Sequence, residues 1–364
     1  MVKEDDANGN GIDDEIPMTG FIGGWASDPT VWMMNSFTQC VNPLSNTNPT
    51  VAGGLVVNNG KIEYAVMKDE YRDGLRYMHK LFEEGLLDNQ TFLQDNTQFS
   101  ATMDASEGNK VAVYANGGVE NSEFWQQVDG EWQNWEILAP VAGPDGVRYS
   151  GRCIQTYFEG CLGVVSSTCK YPEIVVALFD FMASEDAAHH IGGGPEGISW
   201  EYTNEGVSLS GGTPAYEQFT VPEDFDYVKE GGLPKAYANY RYTPDAMIQR
   251  GSAEYRGGLK IEDPSHSTEY WFQQCAELYS QYAPDVNTLV PNLSFEGEDA
   301  KIVTEGTLTI GGYVNQALVQ FIDGSLDIEK DWDAYIERLE SMGVDEYVAA
   351  YQRTYDAYME AQGK

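Results

Sequence analysis

The sequence predicts an α/β fold with a helical C-terminal third. Short β-type runs, such as Lys110–Ala115 (KVAVYA) and Leu162–Ser166 (LGVVS), alternate with amphipathic helical stretches. Four helical patterns then close the chain, at 268–282, 309–323, 331–342 and 345–362. Strands alternating with helices are the pattern of α/β domains, and nothing repeats at solenoid period.

The elements follow in order. Residues 1–17 read as a polar Asn/Gly/Asp loop, and 18–60 as irregular structure with short strands. From Lys68 to Leu87, Tyr71, Leu75, Met78 and Phe82 keep helical spacing, with Leu81 on the flank and Gly85 as the stop. Trp132–Ala139 (WQNWEILA) reads as a strand before the turn Gly143-Pro144-Asp145-Gly146. Pro172 opens a helix through Glu185, because a first-turn proline lacks only an N–H that would go unused there. Gly192-Gly193-Gly194-Pro195 breaks it, and 203–265 gives no clear assignment. The last helix carries Val348, Tyr351, Tyr355 and Tyr358 at 3–4 spacing.

At 364 residues the chain suggests about two domains. Its 21 basic and 58 acidic residues give 21 − 58 = −37, a field that repels nucleic acid and anionic lipid. No apolar run is long enough to span a membrane. The opening MVKEDDANGNG has neither the apolar segment of an export signal nor a lipid-attachment cysteine. Five cysteines without a CxxC, and four histidines with one adjacent pair, argue against zinc. The odd cysteine count leaves at least one free thiol.

The segment from Asp6 to Glu15 (DANGNGIDDE) is the sharpest chemical signal. Asp6, Asn8 and Asn10 offer oxygens at alternate positions, Gly11 permits the sharp turn, Ile12 offers its carbonyl, and Asp14 and Glu15 close the shell. Oxygen-only donors of mixed charge suit Ca²⁺. The spacing departs from the helix-flanked twelve-residue loop, whose bidentate Glu would fall at Pro17. The alternative is a solvated turn that binds nothing.

Phosphate-loop, dinucleotide, zinc-protease and nucleophile-elbow motifs are absent. With 58 acids, any carboxylate pair could be proposed as a glycosidase dyad, so that pattern discriminates nothing. Aromatics beside loop breaks are more informative. Trp25, Trp32, Trp125, Tyr157, Trp200 and Tyr240 offer flat faces for the apolar side of a sugar, with polar contacts from Asn35 and Glu196. Their alternative role is loop packing; for Trp200 it is capping the helix that starts at Pro172.

DANGNGIDDEIP resembles the calcium loop of extracellular solute-binding proteins of ABC transporters for oligosaccharides, in the lipoprotein group that includes alginate-oligosaccharide binders. EYRDGLRYMHKLFEEGLLDNQTF (70–92), VVSSTCKYPEIVVALFDFMASEDA (164–187) and FIDGSLDIEKDWDAYIERLESMGVDEYVAAYQRTYDAY (321–358) resemble further segments of that group. The resemblance implies a two-lobed, type II periplasmic-binding-protein-like fold closing on a sugar, no catalysis, and a structural Ca²⁺ held by Asp6, Asn8, Asn10, Ile12, Asp14 and Glu15. It implies residues 1–150 and 206–364 in the second lobe, with 151–205 returning to the first. Most of the first lobe and the lipid anchor would then lie ahead of a truncated start. It further implies an extracellular, lipid-anchored, monomeric receptor delivering oligosaccharide to ABC permease subunits. The scarcity of basic residues points to a neutral glycan rather than a uronate. The rival readings are a calcium-stabilised secreted glycoside hydrolase and an adhesion domain.

Overall fold

The computed structural model describes residues 6, 9–22, 27–40, 54–103, 109–115, 135–151, 164–182, 184, 189, 196–219, 257–262 and 268–363. Two compact units emerge, Met1–Gln155 with Gln273–Lys364, and Thr156–Phe272. The expected return at residue 206 differs from this division: 206–272 stays with the segment before it. There β5 (Trp200–Tyr202) pairs antiparallel with β7 (Tyr216–Gln218), and β6 (Val207–Ser208) with β8 (Lys260–Ile261).

The first unit is mostly helical. Its strands form two pairs, β1 (Ile16–Thr19) parallel to β4 (Val111–Tyr114), and the hairpin β2 (Leu55–Asn58) with β3 (Lys61–Tyr64). The hairpin turns at Asn59 (φ 49°) and Gly60 (φ 79°), the Asn-Gly pair that a two-residue turn with both φ positive requires. Its helices are α1 (Pro29–Met34), α2 (Asp69–Glu83), α3 (Asn96–Thr102), α6 (Gly297–Asp323), α7 (Trp332–Ser341) and α8 (Val344–Ala361). Helix α5 (Thr268–Ser280) crosses the unit boundary, and α4 (Pro172–Met182) lies in the second unit.

Helix α2 confirms its predicted pattern. Tyr71, Leu75 and Met78 are buried, and Gly85 (φ 64°) ends the helix left-handed. Helix α6 begins twelve residues before the expected 309. Its glycines hide the helical pattern in the sequence, but Gly306 is there because Tyr347 of α8 lies against it: an added Cβ would sit 2.4 Å from the Tyr347 ring. Ile310, Val314, Ala317, Leu318, Phe321 and Ile322 of α6 are all buried in the same core.

Over their described residues, two expected strands are not formed. Residues 135–139 run without regular structure, since Leu138 O is taken by the Tyr279 hydroxyl and Pro140 follows. Residues 164–166 are likewise irregular, and Val164 is 84% exposed. Among the described residues no helix is long and apolar enough to cross a membrane, and Cys40 and Cys169 are free thiols.

Gly306→Ala should lower the melting temperature. Overpacking a buried ring costs ~1–3 kcal/mol, more than the ~1 kcal/mol an alanine gains in helix propensity. An unchanged or raised melting temperature would contradict the α6–α8 packing described.

Candidate functional site

The first unit holds a largely apolar groove of about 590 Å³. β1 contributes Pro17 and Met18, α1 and its exit contribute Trp32, Met33, Ser36 and Phe37, α2 contributes Tyr77 and Leu81, β4 contributes Val113, and the segment 138–144 forms the remaining wall. Among the described residues no lining side chain is charged.

Local sequence places each wall. Asp28 caps α1 and Pro29 starts it, so six residues suffice to turn Trp32 and Met33 toward the groove. Phe37 and Tyr77 meet with ring centroids 5.7 Å apart. Gly74 lets α1 approach α2, since a Cβ there would lie 2.6 Å from Met34 Cε. The 138–144 wall is tied to α1's exit: Ser36 Oγ donates to Val141 O at 2.8 Å, and Tyr149 N donates to Asn35 O at 3.2 Å. Gly143 passes so close that a Cβ would fall 1.7 Å from Ser36 O.

The predicted sugar-contacting residues separate. Trp32 is half-buried on the groove wall, and its Nε1–H is buried without an acceptor among the described residues. Asn35 is 1% exposed and works internally: its Oδ1 accepts from Cys40 N at 3.1 Å. It braces the end of α1 rather than facing a ligand. Trp200 is 0% exposed, stacked on His189 (5.0 Å, 22°) and edge-on to Tyr202. It is packing in the second unit, not a presented platform, and it sits on β5 rather than capping a helix. Glu196 is exposed and bridges to Trp200 through backbone. Trp25, Trp125, Tyr157 and Tyr240 lie outside the described residues. Sequence reasoning missed Phe37 and Tyr77. The signal for Tyr77 was available, since Tyr77 and Leu81 lie four apart and form a second apolar flank on α2.

The loop before β1 wraps on itself. Asp6 accepts from Asn10 N (3.0 Å) and Gly11 N (2.8 Å), and Asn10 Oδ1 accepts from Ile12 N (2.7 Å). Gly9 (φ 73°) and Gly11 (φ 84°) supply the left-handed turns. Glu15 is buried, while Asp14 and Ile12 are exposed and Asn8 lies outside the described residues. Carboxylate, amide and carbonyl oxygens fit a hard cation. The carboxylates are not converged here, however: among the described residues no group of three or more His, Cys, Asp or Glu side chains could hold a metal.

Gly143→Ala should destabilise the groove wall by ~1–3 kcal/mol, read as a lower denaturation midpoint, because the obstructing atom is backbone. A neutral substitution would mean the 138–144 segment is not held against Ser36.

No protein-family profile matches the chain. It is 23% identical over 359 residues to the fructooligosaccharide ABC transporter substrate-binding protein FusA of Streptococcus pneumoniae serotype 4, covering 98% of this chain and 60% of FusA. The structure of a FusA EF-hand mutant in complex with fructo-nystose superposes with a TM-score of 0.65 at 21% identity, over 99% of this chain and 66% of FusA's. An extracellular solute-binding protein from Bifidobacterium longum subsp. infantis gives 0.70 at 19% identity, over 98% and 67%. Alginate-binding protein AlgQ2, solved without calcium, gives 0.56 at 17%, over 94% and 64%. All three are binding proteins rather than enzymes. The chain spans about 60% of the curated relative's length. Over the span it covers, the chain is similar to these solute-binding proteins and carries their fold, as its sequence motifs implied.

Proposed function

We propose that the chain is part of an extracellular, non-catalytic receptor that captures a neutral oligosaccharide and delivers it to ABC permease subunits. The carrying observation is the match to a fructooligosaccharide-binding relative along nearly the whole chain, 359 residues, rather than at one motif. The first unit is read as the calcium-loop lobe and the second as the returning part of the other lobe. Lipid anchoring and a monomeric state complete the reading, as in the sequence resemblance.

The Trp32-walled groove is the candidate sugar platform of the first unit. A neutral sugar offers a C–H face to aromatic rings and hydroxyls to a few fixed polar groups. Trp32 and Tyr77 supply rings, and the Ser36 hydroxyl on the lining supplies a hydrogen-bonding group. The lack of charge on the described lining residues favours a neutral glycan over a uronate, whose carboxylates would need cations.

Isothermal titration with fructo-nystose should give saturable heat, and Trp32→Ala should weaken binding at least tenfold while the fold persists; stacking on one ring is worth ~1–3 kcal/mol by the measure of aromatic platforms. Unchanged affinity in Trp32→Ala would remove the groove from the site. Release of free sugar from fructo-nystose would favour the hydrolase reading instead.

We also propose that Ca²⁺ braces the loop 6–15, drawing on Asp6, Asn8, Asn10, the Ile12 carbonyl, Asp14 and Glu15. The self-wrapped turns support this, since they hold the Asp6 and Asn10 side-chain oxygens within one tight loop. Bound metal stabilises by mass action. Calcium should therefore raise the melting temperature of the wild type, EDTA should reverse the rise, and Asp6→Ala should abolish the response. A melting temperature indifferent to both calcium and EDTA would leave the loop as a turn.

A further inference from the structure

Asp28 is a buried carboxyl at the N-terminus of α1, the helix that carries Trp32 and Met33 to the groove. It is 6% exposed, and its Oδ1 accepts from Thr30 N at 2.9 Å and from Thr30 Oγ1 at 2.6 Å, capping α1. The helix it caps delivers Trp32 and Met33 to the groove, and the chain then runs through Asn35 to Ser36 and Phe37. Among the described residues, two titratable groups face Asp28 from the neighbouring elements. Cys40 follows α1, its thiol 3.6 Å from Asn35 Oδ1, and Tyr71 lies on α2. Neither is a cation, and no ion pair to Asp28 exists among the described residues.

The cluster therefore holds one group able to change charge near neutrality. Burial pushes the Asp28 carboxyl from 3.8 up to about 6, against the lowering effect of the Thr30 and Val31 hydrogen bonds. Burial likewise drives the Cys40 thiol up to about 12 and Tyr71 well above its usual range, so both stay neutral.

We propose that Asp28 is a protonation-controlled latch on α1: the protonated carboxyl holds the Trp32 wall of the groove in place, and the ionised carboxyl lets that wall open more often. The latch regulates the groove, so its effect on ligand rests on the sugar-binding reading. The sign is fixed by linkage. The closed state holds the proton more tightly than an opened, solvated state does. The added stability is thus full below about 3.8 and is lost as pH rises through about 6.

The test is hydrogen exchange of the amides from Met33 to Cys40 in the whole chain, normalised for the intrinsic pH dependence of exchange. Opening should be about tenfold more frequent at pH 7 than at pH 5. Asp28→Asn and Asp28→Ser keep a capping oxygen but cannot ionise, so their opening should be flat over that range. A flat wild-type profile overturns the proposal whatever the variants do. So does a wild-type pH dependence that survives in whichever variant folds. Fructo-nystose should bind more tightly at pH 5 than at pH 7 in the wild type. If it binds at neither pH while exchange still follows Asp28, the latch stands and the sugar reading falls.

Discussion

The burial of α6 between α2 and α8 is the constraint on which the first unit depends. Six apolar residues in its last four turns are buried, and Gly306 removes the one side chain that would hold α8 away. Helix α2 packs on α6 through Leu75 and Met78 and presents Tyr77 and Leu81 to the groove. The hairpin is tied to α8 by Gln352, which accepts from Ile62 N and donates to Gly60 O. Exposed ion pairs from Arg72 and Arg76 to Glu329 add little beside this, because water and salt screen them. The order of dependence runs from α6 to α2 to the groove, so a change in the core is expected to reach the site.

Helix α1 is the weakest link in that chain. It has six residues, too few to be stable by propensity, and is held by its cap, by Gly74 beneath Met34 and by the ties from Ser36 and Asn35. Trp32 therefore depends on a short element whose cap is a buried acid without a cation.

Legibility followed the strength of local periodicity. Helices α2, α7 and α8 were readable to within a few residues because a single apolar stripe faces one core. The first half of α6 was obscured in part by Gly306, which answers to Tyr347, a residue some forty positions away. The strand expected at 132–139 failed, over its described part, for the opposite reason: an alternating pattern was present, but its backbone is bonded by Tyr279 rather than by a neighbouring strand. At the site, Trp32 could be picked out as an aromatic beside a loop break. Trp200 satisfied the same rule and proved to be core, since composition alone does not reveal that His189 and Tyr216 enclose it. Helix α1, capped by Asp28, lies in the stretch 18–60 that reads as irregular in the sequence, and the burial of Asp28 is a property of the packed cluster.

The central claim is that sugar contacts the first unit at the wall formed by α1 and β1. Methyl NMR of methionine-labelled protein tests this most directly, because Met18 and Met33 line the groove whereas Met342 and Met359 pack in the helical core. On addition of fructo-nystose, the Met18 and Met33 methyl resonances should shift in a saturable manner while those of Met342 and Met359 stay in place. Saturable shifts that leave Met18 and Met33 unmoved would contradict the account.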